Sequence, residues 1–170
     1  MQTEDYARTV IQADKPGVDE AEIERRVSVR MARQTLLSRV TVPPVFDIVL
    51  NEAILHRPIG DTAVMVRQLE RLVEAGALPT VSVRVVPFAV GLHRGILSGP
   101  FVILRFPANG NGQETEPPTV YVDGFTGDLY LDKPREVERY HEAFTDIGES
   151  ALDETASEEL ITRVARELGQ

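Results

Sequence analysis

At 170 residues, with 42% apolar and 26% charged side chains, the chain suits one domain with a genuine core and is short for two. A formal net charge of −9 argues against gripping nucleic-acid phosphates through the overall field, and the absence of Cys excludes disulfides, thiolate zinc sites and cysteine nucleophiles. No apolar run reaches the roughly 18 residues of a membrane span, and "MQTEDYARTV" lacks a signal-peptide layout, so a soluble, cytoplasmic protein without metal or other cofactor is expected.

The first element, "TEDYARTVIQA", places Thr3 as an N-cap with Glu4 and Asp5 in the first helical turn. After "DKPG", a second helix starts at Asp19, with Glu22 three residues on as in a capping box. Ile23, Val27 and Met31 form its apolar stripe, and Arg26, Arg30 and Arg33 run beside it. Two prolines in "VPPVFDIVL" stop helix, and Phe46, Ile48 and Leu50 then alternate as a strand. Asn51 is expected to cap a short turn ending at "RP", in which Glu52 and His56 stand four apart. The next helix, "GDTAVMVRQLERLVEAGALP", is capped by Asp61, buries Met65, Leu69, Leu72 and Val73, and has Gly76 as its C′ residue.

"TVSVRVVPF" alternates, with Val81, Val83 and Val85 inward and Ser82 and Arg84 outward. The glycine-punctuated loop "AVGLHRGILSG" leads into "PFVILRF", which is apolar on both faces and therefore expected to be a central strand. Residues 107–118 read as an exposed, turn-rich connection, and "TVYVDGFTGDLYLD" as a hairpin turning between Gly124 and Gly127. Two helices close the chain: the first buries Val137, Tyr140 or His141, and Phe144, and the second, capped by Ser157, buries Leu160, Ile161, Val164 and Leu168. This order predicts a single α+β domain over 1–170, with a mostly antiparallel or mixed sheet of about five strands covered by helices.

Phosphate-loop, dinucleotide, zincin and nucleophile-elbow motifs are all absent. Three weaker groupings remain. Glu52 with His56 has acid–base spacing, which also suits a surface pair. His93 lies on a loop whose glycines allow a partner to approach closely. Tyr121, Asp123, Asp128 and Tyr130 share one hairpin face, where Arg84 is expected to meet Asp123. Glu52 is expected to pair with Arg57 or Arg84, leaving His56 at a rim.

Read in order, "QTEDYAR", "RRVSVRMARQTLL", "VLNEAILHRPIG", "VSVRVVPFAVGLHRGILSGPFVILRF", "VYVDGFTGDLYLDKPREVERY" and "FTDIGESALDETASEELI" resemble the C-terminal domain of actinobacterial Xre-type, antitoxin-like transcriptional regulators. The resemblance implies a non-enzymatic regulatory domain that binds a small co-encoded, toxin-like protein and relays the signal to a helix-turn-helix. That helix-turn-helix lies outside this sequence, so direct DNA binding is not transferred to this chain. The family's recurrent polar positions fall on Glu52, Arg57, His93, Tyr121, Asp123 and Tyr130, none with an established catalytic role; Asp123 replaces the family's usual Glu. The position of His56 is often Arg in the family, an exchange no metal ligand tolerates. A homodimer is a further possibility. A second reading is a small-molecule sensor with a pocket near Tyr121, Asp123, Tyr130 and His93, and a remote third is a hydrolase using Glu52 and His56.

Overall fold

Short apolar strands need helices to dry them, and here each of two small sheets is dried separately. A computed structural model describes residues 1–108, 110 and 115–170, so the middle of the predicted 107–118 connection lies outside the described residues. The chain forms two compact units, Met1–Phe88 with Leu152–Gln170, and Ala89–Ala151.

The first unit contains α1 (Glu4–Asp14), α2 (Glu20–Arg33), β1 (Phe46–Asn51), α3 (Ala53–His56), α4 (Thr62–Gly76), β2 (Val81–Val86) and α7 (Glu154–Leu168). The caps of the first three long helices are those expected: Thr3 accepts from the Tyr6 N–H, Asp19 from Glu22 and Asp61 from Val64. On α2, Glu22 binds Arg25 and Arg26 at 2.6–2.7 Å, and the Arg25 hydrogen bond, reinforced by Arg26, lowers its carboxyl to about 2. The arginine stripe is thus partly tied down within its own unit, with Arg30 bound to the Gln2 side chain.

Strands β1 and β2 pair in parallel, Phe46 opposite Val81 through Asn51 opposite Val86. A parallel return needs a crossover, and α3 and α4 supply it. Val81, Val83 and Val85 face inward as expected, against Leu55, Leu69, Leu72, Leu160, Ile161 and Val164. Burying one such side chain contributes roughly 1.5–3 kcal/mol. Helices α1 and α2 close a smaller core of their own, Ile11, Ile23 and Val27.

The second unit contains α5 (Arg94–Ser98), β3 (Val102–Leu104), β4 (Thr119–Val122), β5 (Leu129–Leu131) and α6 (Pro134–Glu149). Its sheet is antiparallel in the order β3-β4-β5. The β4–β5 hairpin forms where the sequence predicts it, with Gly127 N–H bonded to Gly124 O; a Cβ on Gly124 would collide with the Gly127 carbonyl.

Several expectations are corrected. The described strands form two sheets, of two and three strands, rather than one of about five. The reason lies at Val85, whose N–H and C=O point away from β1. Ser157 Oγ takes the N–H at 2.9 Å and the Leu152 N–H takes the carbonyl at 2.9 Å, so no further strand adds to β2 there. β3 is an edge strand rather than a central one, and Val102 and Leu104 are exposed. Helix α7 starts a turn earlier than predicted, capped by Asp153, which puts Ser157 inside the helix and fully buried. Gly76 ends α4 in helical conformation, with right-handed Ala77 as the cap. In α6, Val137 is buried as expected, but the other fully buried positions are Ala143 and Ile147, with Tyr140, His141 and Phe144 half-buried.

Candidate functional site

Glu52, His56 and Phe88 form one knot in the first unit. Asn51 accepts from the Ala53 N–H at 2.9 Å, starting the short turn α3 as the sequence suggests. That turn carries His56 back over Glu52, Nε2 to Oε1 3.4 Å. The other carboxylate oxygen accepts from the Phe88 N–H at 2.6 Å, while the His56 ring stacks on Phe88 with centroids 5.6 Å apart. A carboxylate on a backbone N–H is a charge-assisted bond, stronger than a neutral one. Glu52 therefore fastens the chain just beyond β2 to the end of β1. Among the described residues no side-chain hydroxyl hydrogen-bonds to either member of the pair. Glu52→Gln keeps an acceptor and should cost under about 1 kcal/mol, whereas Glu52→Ala, leaving the Phe88 amide unpaired, should cost about 1–3 kcal/mol in urea unfolding. Equal losses in the two variants would contradict this fastening role.

The expected partners of Glu52 are corrected by the same geometry. Arg84 pairs with Asp47 at 3.1 Å, across the outer face of β1 and β2. Arg57 caps α3 through its backbone N–H to Ala53 O and is exposed. Glu52, Arg57 and Arg84 thus belong to the first unit, and His93, Tyr121, Asp123 and Tyr130 to the second.

In the second unit His93 is the N-cap of α5: its Nδ1 accepts from the Gly95 N–H at 3.2 Å. A Cβ on Gly95 would stand 2.9 Å from the ring, so glycine there lets the imidazole lie over the turn. On α6, His141 Nδ1 lies 3.0 Å from the Arg105 guanidinium and accepts its hydrogen bond. Burial first, and then the Arg105 charge, hold His141 below its ordinary pKa, with Glu138 acting the other way.

The three-stranded sheet brings the remaining predicted residues together. Cross-strand partners lie on one face, so Val102, Tyr121 and Tyr130 line up, with Leu104 and Thr119 beside them. On the opposite face, Val120 is wholly buried where α6 packs on β3 and β4, and Phe101 meets Tyr140 edge-on at 4.9 Å. The two tyrosine rings are 5.2 Å apart and tilted by 52°. Tyr121 donates to Asp128 at 3.1 Å. Partial desolvation first, then that hydrogen bond and the charges of Asp123 and Asp128, raise the Tyr121 phenol above its usual pKa. Among the described residues neither Asp123 nor Asp128 pairs with a cation. Tyr130 is 63% exposed and Val102 50%, so this face is open.

Sequence reasoning found the tyrosines and missed Val102, Leu104 and Phe88. Alternation in "FVILR" places Val102 and Leu104 on one face, but which face is open depends on strand order. Elsewhere, a groove of about 680 Å³ between α4 and α7, lined by Val66, Glu70, Val73 and Arg166 among others, contains none of the predicted site residues. Among the described residues no three His, Asp or Glu are placed to hold a metal, and no helix is long and apolar enough to cross a membrane.

What these features define is an α+β chain with an exposed aromatic sheet face. The chain belongs to the family described as Domain of unknown function (DUF5753), which matches residues 1–163. No curated protein and no solved structure matches it.

Proposed function

We propose that this chain is the non-enzymatic regulatory domain of an Xre-type, antitoxin-like transcriptional regulator, which binds a small protein partner and relays the signal to a DNA-binding module. The observation that carries the reading is the surface of the second unit. Phe125 is fully exposed, Leu92 75%, Leu97 74% and Tyr130 63%, whereas the fully buried apolar residues of that unit are Val120, Val137, Ala143 and Ile147. Large apolar side chains left exposed to water are the material from which interaction sites are built. The hold of Glu52 on the Phe88 amide, with His56 stacked on the Phe88 ring, fits a structural role for the pair and so supports a binding reading. The charge of −9 favours a basic protein over a nucleic acid as the direct partner. The resemblance in sequence to the regulators' C-terminal domain points the same way.

The test is co-expression of the chain with the small proteins encoded beside its gene. A stoichiometric complex should co-elute and melt at a higher temperature than the chain alone, by mass action. A chain that elutes alone and melts unchanged with each of them would refute the reading.

A further inference from the structure

The geometry points to the open face of the β3-β4-β5 sheet as the docking surface for a partner segment that presents an arginine or lysine side chain to Tyr121 and Tyr130. The inference rests on the partner-binding reading above and adds the recognition chemistry. Two tyrosine rings 5.2 Å apart, tilted by 52°, offer a cation two electron-rich faces at once. Tyr121 donates its hydroxyl proton to Asp128, which pushes negative charge into the ring and strengthens that attraction. The charged groups that act on Tyr121 are Asp123 and Asp128, both carboxylates, and neither is neutralised by a Lys or Arg among the described residues. The nearby Arg105 is turned to His141 on α6, which covers the other face, and Lys133 is turned to Glu136.

Beside the rings, exposed Val102 and Leu104 continue the face as aliphatic surface. A long cationic side chain needs both parts: its methylenes lie on apolar surface while its head group meets the rings and carboxylates. An acidic segment would meet Asp123 and Asp128 with like charge. A purely apolar one would desolvate both carboxylates without supplying a cation, which costs binding energy. Charge complementarity therefore selects a basic segment.

The ¹⁵N-labelled full chain is titrated with N-acetyl-arginine-N-methylamide, and with the leucine analogue as control. Saturable amide shifts should gather on residues 102–104, 119–123 and 128–131. Binding should weaken at least about tenfold in Tyr130→Ala and in the double variant Asp123→Asn/Asp128→Asn, and persist in Tyr130→Phe. Tyr130 is exposed and Asn keeps an acceptor for Tyr121, so the variants should melt with the parent. Shifts spread over the acidic surface, an equal response to the leucine analogue, or unchanged binding in the variants would overturn the proposal. So would a parent that sediments as a dimer while Tyr130→Ala is a monomer, which would name a second copy as the occupant. If the variants retain the co-purifying small protein at parental affinity, this face is not the docking surface although the regulatory reading survives. If the parent captures no such protein, that reading falls, and the titration still decides whether the face binds arginine.

Discussion

Ser157→Val should lower the unfolding free energy of the chain by about 2–4 kcal/mol, and Ser157→Ala by about 1–3 kcal/mol, measured by urea denaturation. Ser157 is wholly buried inside α7, and its hydroxyl is the hydrogen-bond partner of the Val85 N–H at 2.9 Å. Alanine leaves that amide dry and unpaired, and valine, which puts a methyl in place of the hydroxyl and adds a second, overfills a packed core as well. The loss should be local in character before it is global. Exchange of the Val85 amide should quicken more than that of the β1 amides bonded within the parallel ladder. Stability within about 0.5 kcal/mol of the parent in Ser157→Ala would show that water or the neighbouring backbone takes over the amide, contrary to this account.

Ser157 also explains why the architecture was only partly legible. Local signals named most elements: the caps at Thr3, Asp19 and Asp61, the inward valines of β2, and the Gly124–Gly127 hairpin all lie within a few residues of what they control. Sheet membership is a long-range property. The stretch "VSVRVV" looks the same whether its outer edge bonds to another strand or to a helix. The bond that decides the matter joins residues 72 apart in sequence. The same limit misplaced "VILR": apolar on both faces, it reads as a central strand, yet β3 lies at a sheet edge with two of its three residues exposed.

The candidate site was legible in the same uneven way. Tyr121 and Tyr130 could be paired from hairpin periodicity alone, because the turn fixes their register. The partners of Arg84 and Glu52 could not. Arg84 reaches Asp47 only because β1 and β2 run in parallel. Glu52 reaches the Phe88 amide because its own N–H is already bonded to Val86 O, which brings the two chain ends side by side. Opposite charge in a sequence suggests pairs, but a backbone N–H competes for the same carboxylate and carries no signature in the side-chain code.

Gln68→Leu should release α1 and α2 from the rest of the first unit and cost roughly 2–4 kcal/mol, the sum of two buried hydrogen bonds lost. Gln68 lies on α4, 5% exposed; its Oε1 accepts from the Thr3 N–H and its Nε2 donates to Met1 O, both at 2.8 Å. From the other side Gln34 holds Gln2 in the same manner, N–H and C=O each at 2.9 Å. Residues 1–3 are thus gripped like a strand between two side-chain amides. Thr3, the residue so held, is also the cap of α1. The alternative tether, Arg67 to Asp5 at 2.7 Å, is half exposed at both ends and contributes at most about 1 kcal/mol. The helix pair has its own small core of Ile11, Ile23 and Val27, so it can loosen as a body while the larger core around Leu69 and Ile161 holds. Amide exchange in residues 4–33 should therefore accelerate well beyond that in α4, β2 and α7. Gln68→Glu retains the acceptor and loses the donor, so it should fall between parent and leucine variant. Uniform acceleration across the unit would mean that Gln68 supports the main core instead of tethering the helix pair.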